Sequence, residues 1–121
     1  MVDAVKEFNM HVVHAGINAM DAEVGLGWAA EFLQYFGLPT KDGNSSVFAG
    51  PLVEIMKGNG RGTIGHIGVG VNNIEAALEY FKGNGVNPIE ETRKVVDGET
   101  TFVYLDKEVA GFMIHLNLVK Y

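Results

Sequence analysis

The stretch "HIGVGVNNIEAALEYF", residues 66–81, decides the fold. Its first residues alternate. Ile67, Val69 and Val71 lie on one face, and His66, Gly68 and Gly70 on the other, as in a strand whose two faces meet different surroundings. The period then changes. Ile74, Ala77, Leu78 and Phe81 fall at i, i+3, i+4 and i+7, an apolar stripe along a helix. Asn72 and Glu75 have the spacing of a capping box at its start, and Gly83 and Gly85 close it. A strand therefore feeds a helix, and the histidine sits on the strand face that the helix does not cover.

The same unit is written earlier, in "HAGINAMDAEVGLGWAAEFLQYF", residues 14–36. Residues 10–18 read as a strand with Met10, Val12, His14 and Gly16 on one face and His11, Val13, Ala15 and Ile17 on the other. Asp21 caps a helix over about residues 22–36, with Leu26, Ala29, Ala30, Leu33 and Phe36 at helical spacing, and Gly37 ends it. Three short strands follow each helix. They are "PTK", "SSVFA" and "LVEIMK" in the first half, and "PIEETRKVV", "ETTFVYL" and "FMIHLNLV" in the second. "DGN", "GP" and "DG" supply turns between them. "GNGRG", residues 58–62, is the joint, glycine-rich and without an apolar residue. The expected fold is α+β: two tandem β-α-β-β-β modules forming one paired, cleft-bearing sheet. The single domain spans residues 1–121, with module one at about 8–57, the linker at 58–62 and module two at about 63–119.

Composition narrows the function. The 121 residues carry a net charge of −6, and the only arginines are Arg61 and Arg93. No basic stripe marks a nucleic-acid surface, and the acidic balance disfavours an anionic membrane. The absence of cysteine removes disulfides, thiolate metal sites and a cysteine nucleophile. The N-terminus lacks the basic start and apolar run of a signal peptide, and no run is long enough to span a bilayer, so a cytoplasmic location is expected.

Superposing the halves by their turns places His14 on His66 and Glu54 on His115. The two intervals are 40 and 49 residues, and the difference fits a longer hairpin around Asp97-Gly98. Imidazole nitrogen and carboxylate oxygen are good ligands for divalent first-row metals. Two such residues per half, on facing positions, make a metal site: His14, Glu54, His66 and His115. The simpler alternatives are packed or surface histidines and a Glu54 turned to solvent on an edge strand. Strand alternation sends His11 to the opposite face, as a structural or surface residue. Gly16 and Gly68 leave space on the histidine face, or merely accommodate packing. Trp28, Phe32 and Tyr35 read as core or dimer contacts. Phe48, Phe102 and Tyr104 are candidates to line a pocket. Arg93 is a candidate for binding an acidic substrate group, with a solvated strand edge as its alternative.

The paired modules, the histidine opening "HIGVGV" and the glutamate in "LVEIM" resemble the vicinal oxygen chelate superfamily, over about residues 8–119. That group includes glyoxalase I, bleomycin and fosfomycin resistance proteins, extradiol dioxygenases and methylmalonyl-CoA epimerase. The resemblance implies metal ligands on the first and last strands of each half, which are His14, Glu54, His66 and His115 here. A glutamate is usual in the family where this chain has His115, so Glu54 is the remaining candidate base. The run "HVVHAGIN…GNSSVFAG…EIMK…GHIGVGVN" is also similar to a small domain attached to some 2-keto-3-deoxy-6-phosphogluconate aldolases. The resemblance implies a metal-dependent lyase or isomerase using one divalent transition metal (nickel, zinc, manganese or iron). Its substrate would be a small α-hydroxy- or α-keto-carbonyl compound. The alternatives are an iron-dependent dioxygenase and a non-catalytic binding or accessory module. A homodimer is expected.

Overall fold

A computed structural model describes residues 3–120. A short helix, α1 (Ala4–Glu7), leads into β1 (His11–Asn18), α2 (Ala22–Phe36), β2 (Thr40–Asp42), β3 (Ser46–Ala49) and β4 (Val53–Met56). The second half runs β5 (Gly65–Val71), α3 (Ile74–Gly83), β6 (Pro88–Val96), β7 (Glu99–Val109) and β8 (Phe112–Leu118). The eight strands form one sheet in the order β2-β3-β4-β1-β5-β8-β7-β6. Each half therefore runs β-α-β-β-β, and the fold is α+β with one continuous sheet.

The helix boundaries follow local chemistry. The Asp21 side chain accepts a hydrogen bond from the Val24 N–H and starts α2, and Gly37, at φ 71°, ends it in the left-handed conformation. At α3 the cap is Asn73, accepting from the Ala76 N–H, rather than the expected Asn72. The Asp97-Gly98 turn has φ of 51° and 77°, the paired positive values of a tight hairpin. It joins strands of nine and eleven residues, against three and four in the matching hairpin of the first half. That accounts for the longer second interval.

Each module has its own core between its helix and the sheet. Ala19, Ala29, Val47, Ala49 and Ile55 are buried under α2. Val71, Ile74, Ala77, Leu78, Val103, Leu105 and Leu116 are buried under α3. Phe8, which follows α1, crosses to the second core and packs on Tyr80 with ring centroids 5.8 Å apart. The helices take one face of the sheet, and the other face is left to the histidines.

The two modules join through antiparallel pairing of β1 with β5. Within each module the first and last strands pair in parallel, β1 with β4 and β5 with β8. A pseudo-two-fold axis at the β1–β5 seam thus relates the halves. β1 departs from the expected alternation. Val12 pairs with Val69 and His14 with Gly68, so Val13 is an extra residue, a β-bulge. The bulge turns Met10 and Val12 towards the helix side and brings His11 onto the histidine face, opposite Gly70.

Leu78 is 2% exposed at the centre of the second core. Replacing it with alanine is expected to cost about 2–5 kcal/mol, read as a lower urea midpoint with an unchanged slope.

Candidate metal centre

Four side chains from four strands converge on the uncovered face. His14 Nε2 lies 3.1 Å from His66 Nε2 and 3.2 Å from His115 Nε2. Glu54 Oε1 lies 3.1 Å from His66 Nε2 and 3.6 Å from His14 Nε2. The donor atoms of the three histidines all fall within 4.8 Å of one another. His66 and His115 are buried, and His14 and Glu54 are partly so.

The register explains the convergence. Gly16 stands between Glu54 on β4 and His66 on β5. Its symmetry mate Gly68 stands between His115 on β8 and His14 on β1. A methyl group on Gly68 would lie 2.7 Å from Cε1 of both His14 and His115, and one on Gly16 would fall inside the His66 ring. Both glycines are thus required by the space the imidazoles occupy rather than by backbone conformation. Gly70 does the same for His11, whose Nδ1 lies 2.8 Å from the Asn9 carbonyl.

The electrostatics favour neutral imidazoles at His14 and His115 and an ionised Glu54 carboxylate. Burial, reinforced by His14 and His66 alongside, pushes His115 down to about 4, while the Asn117 side chain pulls the other way. Burial and His66 likewise lower His14, partly offset by Glu54. Glu54 is held low by its hydrogen bond with His66, and the Ser46 hydroxyl, donating to Oε2 at 2.8 Å, adds to this. One carboxylate oxygen is therefore fixed by serine and the other turned to the histidines.

The three imidazole donors fit a single cation, with the Glu54 carboxylate beside them. Ligand atoms 2.0–2.1 Å from a common centre lie about 2.9 Å apart at right angles and about 3.4 Å apart at tetrahedral angles. The contacts of 3.1 and 3.2 Å fall in that window. Three imidazole nitrogens and a carboxylate oxygen suit a divalent first-row ion.

Aromatic rings wall the cluster. Phe102 and Tyr104 pack on His115 with centroids at 4.6 and 5.0 Å, and Phe48 faces His14 at 6.5 Å. Arg93 does not reach the cleft. Its guanidinium bonds Glu75 on α3, Thr100 and Glu90, on the helix side of the sheet. A register shift between Phe102 and Thr100 turns Thr100 to that side. Lys94, the next residue along β6, takes the cleft side and stands 4.8 Å over the Phe102 ring. Three contributors escape a reading of the sequence: Ser46, Lys94 and Arg61, which comes out of the linker to lie 5.3 Å over Tyr104. The matched repeat was the one available signal. Ser46 and Phe102 are symmetry mates, since their partners Met56 and Asn117 correspond.

Fold and sequence together define the class. The chain belongs to the Glyoxalase/Bleomycin resistance protein/Dioxygenase superfamily, which its sequence matches over residues 3–116. No curated protein matches it significantly. Among solved structures, a hypothetical protein from Bacillus halodurans C-125 superposes with a TM-score of 0.59 at 19% identity, covering 93% of this chain and 96% of that one. A variant of Streptomyces coelicolor methylmalonyl-CoA epimerase in complex with 2-nitronate-propionyl-CoA gives 0.59 at 12% identity, covering 91% and 97%. A methylmalonyl-CoA epimerase in complex with methylmalonyl-CoA and NH4+ gives 0.57 at 14%, covering 88% and 92%. These likenesses establish the fold.

Two outcomes follow from the geometry. Gly16→Ala is expected to leave a folded chain with the His66 ring displaced, read as shifted imidazole signals of His14 and His66 by NMR. Gly27→Ala, on an open part of α2, should leave those signals in place and raise stability by about 0.5–1 kcal/mol. The second outcome concerns pH. The folded value of His115 lies below its ordinary 6.5, so the unfolded chain takes up the proton first. Stability from this group is complete above about pH 6.5 and lost as pH falls towards about 4. Melting chelator-treated protein across that window reads the effect, and a flat profile would contradict it.

Proposed function

We propose that His14, Glu54, His66 and His115 hold one divalent transition ion, and that the chain is a metal-dependent lyase or isomerase. Its substrate would be a small α-hydroxy- or α-keto-carbonyl compound. The observation that carries this reading is the convergence of three Nε2 atoms beside one carboxylate oxygen. The ion, when bound, supplies Lewis-acid stabilisation to negative charge developing on two adjacent substrate oxygens.

The chain's own residues do the rest. Glu54 Oε2, held by Ser46, takes the proton from the carbon next to the carbonyl. Returning that proton elsewhere on the substrate is an isomerisation, and loss of a leaving group from the neighbouring carbon is an elimination. Burial keeps His14 and His115 as neutral donors, which is the form that binds a metal. Phe48, Phe102 and Tyr104 flank the cluster as substrate-contacting walls. Burial raises the Tyr104 hydroxyl, so the phenol stays protonated and able to donate a hydrogen bond.

Both half-sites lie in one chain, so the centre needs no second copy. A homodimer and a cytoplasmic location belong to the same reading; among the described residues no helix is long and apolar enough to cross a membrane.

Elemental analysis of protein purified without chelator is expected to give about one transition metal per chain, lost in His66→Ala. Glu54→Gln should weaken metal retention less and remove proton exchange at the substrate carbon, read by deuterium incorporation. Unchanged metal content in His66→Ala would sink the four-ligand site. Full occupancy with tight ligand binding but no exchange would favour the binding-module alternative.

A further inference from the structure

The chain has nine basic residues against fifteen acidic ones, so an unpaired cation is worth explaining. Lys57, Lys82, Arg93 and Lys120 each hold a carboxylate. Among the described residues, Lys6, Lys41, Arg61, Lys94 and Lys107 hold none, and of these five only Arg61 and Lys94 lie over aromatic rings. Those rings, Tyr104 and Phe102, are the pair that packs on His115, with centroids 5.6 Å from each other.

Arg61 is not there by the drift of a loose loop. The Asn18 amide donates to the carbonyls of Gly62 at 2.8 Å, Arg61 at 3.3 Å and Gly60 at 3.5 Å. This one side chain, at the end of β1, holds the linker against the sheet. A Cβ on Gly60 would strike the same Asn18 side chain, so the glycine is part of the fit. The Tyr104 ring offers Arg61 a face and no counter-charge, since the phenol is neutral. A guanidinium seated on an aromatic face keeps its donors for a planar or tetrahedral oxyanion.

Resting on the reading of the cleft as a substrate site, we propose that its substrate carries a second anionic group, a carboxylate or a phosphate, bound by Arg61 and Lys94. The vicinal oxygens then lie towards the histidines and the anionic end towards the linker and β6. This assigns to Arg61 and Lys94 the anion recognition expected of Arg93, whose charge is already taken by Glu75 and Glu90.

The test is calorimetric titration of desalted, nickel-loaded protein with two matched pairs of probes. Lactate and malate differ by a carboxylate, and glycerate and 3-phosphoglycerate by a phosphate. The expected result is that at least one of the doubly anionic probes binds about tenfold or more tightly than its partner, the scale of one charge-assisted hydrogen bond. The pair that shows the gap identifies carboxylate or phosphate. The gap should shrink in Arg61→Gln and close in Arg61→Gln/Lys94→Gln, while lactate and glycerate affinities stay as they were. Both positions are exposed, and matching thermal melts confirm that the variants fold. No gap in either pair, a gap that survives the double variant, or failure of all four probes to bind overturns the inference. Nickel content is measured on the same samples. Nickel retained without a gap overturns the anion inference alone, and absence of nickel overturns the metal reading beneath it as well.

Discussion

Everything in the cleft depends on pairing an imidazole with a residue that has no side chain. Along the β1–β5 seam, His66 lies opposite Gly16 and His14 opposite Gly68. Directly opposed residues of an antiparallel pair stand only about 4.5–5.5 Å apart, too close for an imidazole to lean across an ordinary neighbour. The glycines let the rings fold over the seam and meet above it. The same backbone pairing that welds the two modules into one sheet therefore also brings the histidines together. Fold and site are held by one set of contacts.

Charge follows from that geometry. Burial and the neighbouring imidazoles disfavour protons on His14 and His115, and a single carboxylate, Glu54, is held ionised beside them. Such a cluster is short of positive charge and rich in lone pairs, which suits a cation. The two cations at its margin sit outside the histidine cluster, separated from it by Phe102 and Tyr104. The cleft thus grades from lone-pair donors at its floor, through aromatic walls, to positive charge at its rim.

Much of this was legible in the sequence. The period shifts from strand to helix twice, with Asp21, Gly37 and the Asp97-Gly98 turn punctuating it, so the module order and the matching of His14 with His66 and Glu54 with His115 could be read. What escaped was whatever alternation alone does not encode. The bulge at Val13 leaves no mark in an apolar run, yet it moves His11 across the sheet. A second irregularity, between β6 and β7, sends Arg93 to α3 and Lys94 to the cleft. Helix α1 has four residues, too few for a period. Arg61 is placed by an amide 43 residues away in the chain, a contact that no local pattern announces.

The pseudo-two-fold is broken where it matters. Glu54 corresponds to His115, Ser46 to Phe102 and Phe48 to Tyr104, so one half presents a carboxylate backed by a hydroxyl and the other an imidazole backed by an aromatic ring. A fully symmetric cradle would accept a small molecule in either of two orientations and present the base to both of its faces. This one has a distinguishable left and right. Under the proposed chemistry, a planar carbon seated in it would meet Glu54 from one side only, so a proton delivered there would arrive on a single prochiral face, a handedness set by these three replacements between the halves.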